Sequence, residues 1–451
     1  MKAFLFTATA YFILPVLTLY SCLAAIYLWD FRDPEFWRYV NLWIPGIFLY
    51  YIYIGQLIIG QRLPFLDRIW GFPNLVRKHQ GLFRVLLLIT LIMHSMVHLR
   101  SDGLDKVLLN PDSGMIVAYI VVFASIALMV IAVKFWLKLR KKAKVADYAK
   151  MHKLHQLFYL LAIGIWYHVV TAGAFQENYL GSALVTAYLL FALLCKVYMI
   201  VATKQAPVYR LDKLEVLHEN FVRLSLRSLE TGPKVDRLHR HKAGQYAYFS
   251  FALEDEKGKV HWEQHPFSFA GLAAKDSTAD SSVLSVVVKK LGNFTARLGD
   301  FTAGESGVKV KVLGPYGIFS CESPAYTDGI HLVAAGAGIT PFLSMLEEKT
   351  FIPAEEKQAL FLHWFVREAS ELVFEDRFRY FCEQLPNLTV KTYVGQSLSE
   401  HVLQKLFSST PVGNKWGVLY CGPGAVGPVL RKVITRLGIP RRNFHSELFS
   451  M

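Results

Sequence analysis

Five histidines stand inside apolar stretches of this 451-residue chain: His79, His94 and His98 in one, His155 and His168 in another. An imidazole in a hydrocarbon-buried helix is costly and keeps a partner inside the bundle. Neutral imidazole is an axial ligand of haem iron, so two histidines on each of two helices are candidate holders of two haems. His79 and His94 are 15 residues apart, and His155 and His168 are 13 apart. At the helical rise these spacings are about 22 and about 20 Å, which puts the two pairs at matching depths. The faces do not match. At about 100° per residue, 15 residues drift about +60° and 13 drift about −140° from a common face. Spacing alone therefore leaves a second reading open, in which the imidazoles bond to neighbours or relay protons. His98, one turn beyond His94, reads as a spare ligand, as a group facing an outer acceptor, or as an interfacial histidine.

The elements that must position these residues are apolar. Hydrophobic residues make up 53% of the chain, concentrated before residue 204, whereas residues 204–451 read as ordinary globular sequence. A bilayer-crossing helix needs about 20 apolar residues. Stretches near 4–29, 41–60, 80–99, 115–137, 155–174 and 182–202 qualify, which predicts a six-helix transmembrane domain over 1–203. The first is kept as a span and not a cleaved signal, because its apolar run extends to Trp29 behind a single lysine, Lys2. Basic residues gather after the second, fourth and sixth spans, including Arg62, Arg68, Arg77, Lys141, Lys142, Lys144, Lys204 and Arg210. The positive-inside rule then places both termini and the C-terminal half in the cytoplasm of a multi-pass plasma (inner) membrane protein. The net charge of +14 points to anionic lipid and not nucleic acid, since no nucleic-acid motif is present. The five cysteines form no CxxC pair, so neither a disulfide framework nor a zinc site is expected.

From 204 to 322 short alternating runs, such as Phe221–Leu226 and Val283–Val288, predict a small antiparallel β-barrel. Between strands lies His265-Pro266-Phe267-Ser268, and later Gly292-Asn293-Phe294-Thr295 opens a helix, where backbone N–H groups face a phosphate. From 323 to 451 strands alternate with helices, an α/β pattern. The strand Ile330–Ala335 runs into Gly336-Ala337-Gly338-Ile339-Thr340-Pro341 and a helix, a turn through which a pyrophosphate can approach backbone and helix end. Proline holds the place of the third glycine of the usual fingerprint, and an ordinary tight turn is the alternative. Arg367 follows the next strand, Ala359–Val366, where a cation could hold a ribose or 2′-phosphate; a plain surface arginine is the other reading. A later strand leads into Cys421-Gly422-Pro423.

In this order, after six apolar spans, the motifs resemble the ferric reductase superfamily and within it the NADPH oxidases, especially bacterial ones. The resemblance covers nearly the whole chain and rests on the paired histidines with His94–His98, on His265–Ser268, Gly314-Pro-Tyr-Gly317, Gly336–Pro341 and Cys421–Pro423, and on Phe449 near the end. It implies a ferredoxin-reductase-like module behind the membrane domain. His79 and His155 would ligate an inner b-type haem, and His94 and His168 an outer one. His265, Pro266, Phe267 and Ser268 would line the flavin of FAD, with Ser268 hydrogen-bonding the ring, and Gly292 to Thr295 would hold its pyrophosphate. Gly336 to Pro341 would take NADPH or NADH and Arg367 its ribose end. Cys421, with Gly422 and Pro423, would sit near the nicotinamide, and Phe449 would cover the flavin face. His79 departs from the family's usual spacing of 14, which makes it the least secure ligand. The implied activity is electron transfer from NADPH through FAD and two haems to oxygen, giving superoxide, with His98 assisting at the outer side. A ferric-chelate reductase is the alternative, and a six-span transporter regulated by a nucleotide domain is the alternative of another class.

Overall fold

The computed structural model of the protein describes residues 13–25, 32, 34–71, 75, 79, 81–104, 113–141, 154–171, 175, 178–254, 258–271, 283–290, 293–323, 325–352 and 358–448. The chain divides into two compact units, Met1–Val201 and Ala202–Met451.

The first unit is helical: α1 (Leu14–Ala25), α2 (Pro34–Ile59), α3 (Pro64–Trp70), α4 (Leu82–Leu104), α5 (Ser113–Lys141), α6 (Leu157–Thr171) and α7 (Tyr179–Lys204). Among the described residues, α7 alone is long and apolar enough by itself to cross a bilayer. Trp43–Ile59 and Pro64–Trp70 reach that standard as a pair bent by 99°, and Val85–Arg100, Ser113–Leu128 and Leu157–Thr171 are shorter apolar helices. Helices stand at the six expected stretches, but among the described residues only one, or two with the bent pair, is long and apolar enough to cross a bilayer, so a six-span bundle is not established. Helix α2 is the centre of this core, with Tyr50, Tyr51, Ile54 and Ile58 buried against Ala162, Val185 and Ala192. Two of its polar groups bond across the core: Tyr50 donates to the Val185 carbonyl at 2.6 Å, and Gln61, just past its end, donates to the Ala192 carbonyl at 3.0 Å. In a dry core such bonds carry more than their area, because an unmet donor there costs about 1–3 kcal/mol.

The second unit holds two sheets. Strands β1 (Val208–His218), β2 (Phe221–Ser228), β3 (Tyr246–Glu254), β4 (Val260–Ser268), β5 (Val283–Lys289) and β6 (Lys309–Tyr316) form an antiparallel sheet in the order β4-β3-β6-β1-β2-β5. A bridge from Phe269 to Val286 joins its two ends into a barrel. Helix α8 (Pro233–His239) and the short α9 (Asn293–Arg297) accompany it. The sequence His265–Ser268, expected between strands, lies inside β4. Strand β4 begins one end of the sheet order, where the missing N–H of Pro266 removes no ladder bond from a central strand, so the proline is tolerated.

The other sheet is all parallel, in the order β11-β10-β7-β8-β9. Its strands are β7 (Gly329–Ala335), β8 (Ala359–Val366), β9 (Leu388–Val394), β10 (Trp416–Gly422) and β11 (Phe444–Leu448). Helices α10 (Thr340–Thr350), α11 (Glu375–Gln384), α12 (Glu400–Ser408) and α13 (Val426–Arg436) connect them. Strands buried on both faces read as continuous apolar runs, as β7 and β10 do. The five-residue β11 carries only weak alternation and was not expected.

Candidate functional site

The helical unit brings the histidines together in pairs. The rings of His79 and His155 have centres 6.0 Å apart, and those of His94 and His168 6.2 Å apart. The His98 ring lies 4.6 Å from that of His94. The angular misfit of the sequence disappears because His155 is not on the regular part of α6. Gln156 is a turn residue between it and Leu157, and the Tyr159 N–H bonds back to the Gln156 carbonyl at 3.1 Å. Uniform 100° steps therefore do not connect His155 to His168. The turn residue Gly81 likewise separates His79 from α4.

Each pair fits one metal atom. Two imidazoles bonded to the same ion through nitrogens at about 2.0 Å have ring centres roughly 6 Å apart. His168 Nδ1 lies 3.0 Å from the Gly114 carbonyl. A carbonyl only accepts, so Nδ1 carries the proton and Nε2 keeps its lone pair, the state a ligand needs. Helix α2 and the turn that follows it present glycine to both levels. A Cβ on Gly46 would stand 2.8 Å from His94 Cε1, and one on Gly60 3.4 Å from His79 Cε1. Among the described residues no three His, Cys, Asp or Glu side chains converge as metal ligands. Each of the two histidine couples could supply two ligands to a metal.

In the barrel, His265 stacks on Phe294 with ring centres 3.9 Å apart and planes 18° from parallel. That stack joins two motifs 29 residues apart in sequence. Glu263, unremarked in the sequence, accepts from His265 Nε2 at 3.1 Å and pairs with Arg297 at 3.3 Å. It lies two residues before His265 on the same face of β4, and period-2 alternation was the signal for it. Phe267 packs near Phe249 and Phe251, and Ser268 is buried at the end of β4. Thr295 is on α9. Gly292 and Phe449 lie outside the described residues, as does the Asn293 side chain.

In the parallel sheet the chain leaves β7 in one direction through β8 to β9 and returns on the other side as β10 and β11. The reversal falls between β7 and β10, and the crevice beyond the carboxyl ends of strands at such a switch point is where ligands bind. Gly336 to Pro341 follow β7, and Cys421 to Pro423 end β10, so both motifs border that crevice. A Cβ on Gly338 would stand 1.9 Å from the Cys421 carbonyl oxygen, and one on Gly422 2.8 Å from Ala335 Cβ. Ala337 and Ile339 complete the turn, Trp364 donates to the Gly336 carbonyl at 3.0 Å, and the Thr340 hydroxyl caps back to Ala337 at 2.9 Å. Pro341 stands at the start of α10, where no intrahelical N–H is needed. The Cys421 thiol is wholly enclosed, and burial pushes it well above its usual range, so it is a neutral packing group in this state. Arg367 is exposed beyond β8.

A FAD-binding domain family matches residues 208–320, the span of the barrel and its two flavin motifs. Ferric reduction oxidase 5 of Arabidopsis thaliana is 26% identical over 241 residues, 52% of this chain and 29% of that protein. The ferredoxin–NAD(P)(+) reductase component of the naphthalene 1,2-dioxygenase/salicylate 5-hydroxylase systems of a Ralstonia species is 24% identical over 212 residues, 46% of this chain and 60% of its own. These matches are to a FAD-binding family and to ferric reduction oxidases and ferredoxin reductases, the relatives to which this chain is similar. It spans less than two thirds of either relative's length. A flavohemoglobin from Malassezia yamatoensis with bound FAD and heme is 15% identical and aligns with 91% of this chain and 97% of its own, at a TM-score of 0.48, too loose a likeness to transfer its haem site. The barrel and parallel sheet form a ferredoxin-reductase-like FAD/NAD-binding module.

Proposed function

We propose that the chain carries electrons from NADPH through FAD and two b-type haems across a bilayer to an acceptor on the far side, with oxygen reduced to superoxide. The observation that carries this reading is the pair of histidine couples at 6.0 and 6.2 Å. On this reading residues 1–203 are the six-span haem domain, 204–322 the flavin domain and 323–451 the nucleotide domain. Large apolar side chains exposed along α4, α5 and α7, among them Leu88, Met96, Ile120, Phe123 and Leu194, support lipid contact, because such surface is rare on a water-facing protein.

FAD accepts the two electrons of a hydride and releases them one at a time, as haem iron requires. The residues of the chain supply position and exclusion. His79 and His155 would hold one haem, His94 and His168 the other, with Gly114 fixing the tautomer of His168. Gly46 and Gly60 keep Cβ atoms out of both ring sites. In the reductase module the His265–Phe294 stack and Ser268 would bound the flavin. The crevice between β7 and β10 would hold the nucleotide, with Arg367 at its ribose end and Cys421 and Phe449 near the nicotinamide. No general acid or base is needed for electron flow; His98, beside His94, would donate a hydrogen bond to a reduced acceptor.

A second reading, a ferric-chelate reductase, is favoured by the match to a ferric reduction oxidase. Purified protein should reduce a dye with NADPH in a superoxide-dismutase-sensitive way; turnover only with ferric chelate under nitrogen would sink the oxidase reading. Haem content should fall in His79→Leu, His94→Leu, His155→Leu and His168→Leu taken singly. If His155→Leu kept both haems, the pairing would be wrong.

A further inference from the structure

The solvent face of helix α8 and the turn after it is a run of cations. Lys234, Arg237, Arg240 and Lys242 are exposed, while Val235 and Leu238 are buried beneath them. Arg237 and Arg240 make no side-chain hydrogen bond or ion pair among the described residues, and Lys242 reaches only the exposed Glu322, at 4.0 Å. An open cleft of about 440 Å³ lies here, lined by Arg237, Arg240, Lys242 and Asp236 with Pro233 and Pro315 among its walls. That volume is within the ~300–1,000 Å³ of ligand clefts. Among the described residues, none of His265–Ser268, Asn293–Thr295 or Gly336–Pro341 lines it, so these cations serve neither the flavin nor the nicotinamide motifs.

The cleft is tied to the point where the chain enters this unit. Lys234 Nζ donates to the Gln205 backbone carbonyl at 3.1 Å and to its side-chain oxygen at 3.3 Å. Lys311 of β6 donates to the Lys204 carbonyl at 3.0 Å. Lys204 is the last residue of α7, the helix long and apolar enough to cross a bilayer. At 1.5 Å per residue α8 is about 10 Å long, so its arginines lie near the end of α7 whatever angle the two units adopt. An anionic lipid surface attracts cations within a screening length, about 8 Å at physiological ionic strength. The sequence of the helical unit offers no comparable counter-charge, since the connections after its second and fourth apolar stretches carry Arg77, Lys78, Lys141, Lys142 and Lys144.

We propose that the α8 face of the barrel docks on anionic phospholipid of the leaflet at which α7 ends, with a phosphate-bearing headgroup in the cleft of Arg237, Arg240 and Lys242. The inference rests on reading α7 as a bilayer-crossing helix. Guanidinium forks match the oxygens of a phosphate ester, and Asp236 in the same cleft opposes them. A merely solvated basic face would be indifferent to lipid charge, whereas a docking face follows it.

The test is fluorescence quenching of the full-length protein in nanodiscs. A bimane is attached at Thr231→Cys, exposed two residues before α8, in a Cys382→Ser background that removes the one exposed thiol among the five cysteines; a nitroxide is carried on the headgroup of a trace lipid. Quenching should grow as phosphatidylglycerol replaces phosphatidylcholine and shrink again in high salt. Two cations near an anionic surface are worth on the order of thirtyfold in binding, so Arg237→Gln/Arg240→Gln should lose most of that growth. Asp236→Asn should enlarge it. Arg441→Gln/Arg442→Gln, which removes the same charge from an exposed turn of the parallel-sheet region, should leave it unchanged. Thermal melts of the variants report folding separately. Quenching that is equal in the two lipids, or that grows equally in wild type and Arg237→Gln/Arg240→Gln, overturns the inference. Growth abolished by inorganic phosphate at fixed ionic strength also overturns it, because the cleft would then serve a soluble anion. A wild-type chain that stays soluble without lipid or detergent would instead overturn the bilayer reading itself.

Discussion

Gly338→Ala is the sharpest perturbation this fold offers. The new methyl carbon would sit 1.9 Å from the Cys421 carbonyl oxygen and 2.6 Å from its carbon, with the Gly422 nitrogen at 3.2 Å. Real Cβ contacts are essentially never shorter than 3.0 Å, so the turn and β10 must separate by about 1 Å. All three obstructing atoms are backbone in a central parallel strand, where no rotamer can move aside. Overpacking costs about 1–3 kcal/mol, and this case belongs at the top of that range. For a unit of roughly 250 residues, about 3 kcal/mol lowers Tm by about 6–12 °C. Gly336→Ala is the internal comparison. Its φ of +54° strains an alanine, but its Cβ meets nothing within 3.6 Å, so its loss should be near 1 kcal/mol. Scanning calorimetry of the two variants, with NADPH titration of the flavin signal, checks both the ranking and the expected loss of nucleotide affinity in Gly338→Ala. A Gly338→Ala protein that melts with the wild type and binds NADPH normally would refute the packing of this turn on β10.

Stability should also fall in acid through a buried histidine chain. His331 Nε2 donates to the Pro411 carbonyl at 2.9 Å, His363 Nε2 to His331 Nδ1 at 3.2 Å, and the Tyr393 hydroxyl to His363 Nδ1 at 3.2 Å. The terminal carbonyl fixes every proton in that order, and both rings are neutral. Burial lowers His331 to about 4 and His363, with His331 beside it, to about 3. Depressed values mean that the stabilisation is complete above about 6.5 and is lost as pH falls toward 4 and 3. At pH 5 each neutral ring costs about 2 kcal/mol relative to the unfolded chain. Melts from pH 8 to 5 should show the decline, and a slope unchanged in His363→Gln would refute its source. Thiol titration of native protein should find one fast equivalent, Cys382, since Cys22, Cys195, Cys321 and Cys421 are buried; rapid modification of Cys421 would contradict its place under Gly338.

The sequence by itself determined the helical first unit, the barrel strands β2 and β5, the strands β7, β8 and β10 and the order of motifs. These follow from local patterning, which needs only the 2.0 and 3.6 periods and the punctuation of glycine and proline. Tertiary structure decided the rest. The facing of His155 toward His79 turned on a break at Gln156 that no periodicity marks. The placement of His265 within β4 depended on that strand standing at an end of the sheet. Glu263 gained its meaning from Arg297, far away in sequence. The switch point between β7 and β10 exists only once the strand order is known. Local propensity acts over a few residues, whereas a site is made where the packing of whole elements brings distant side chains to one place, and that choice belongs to the folded core.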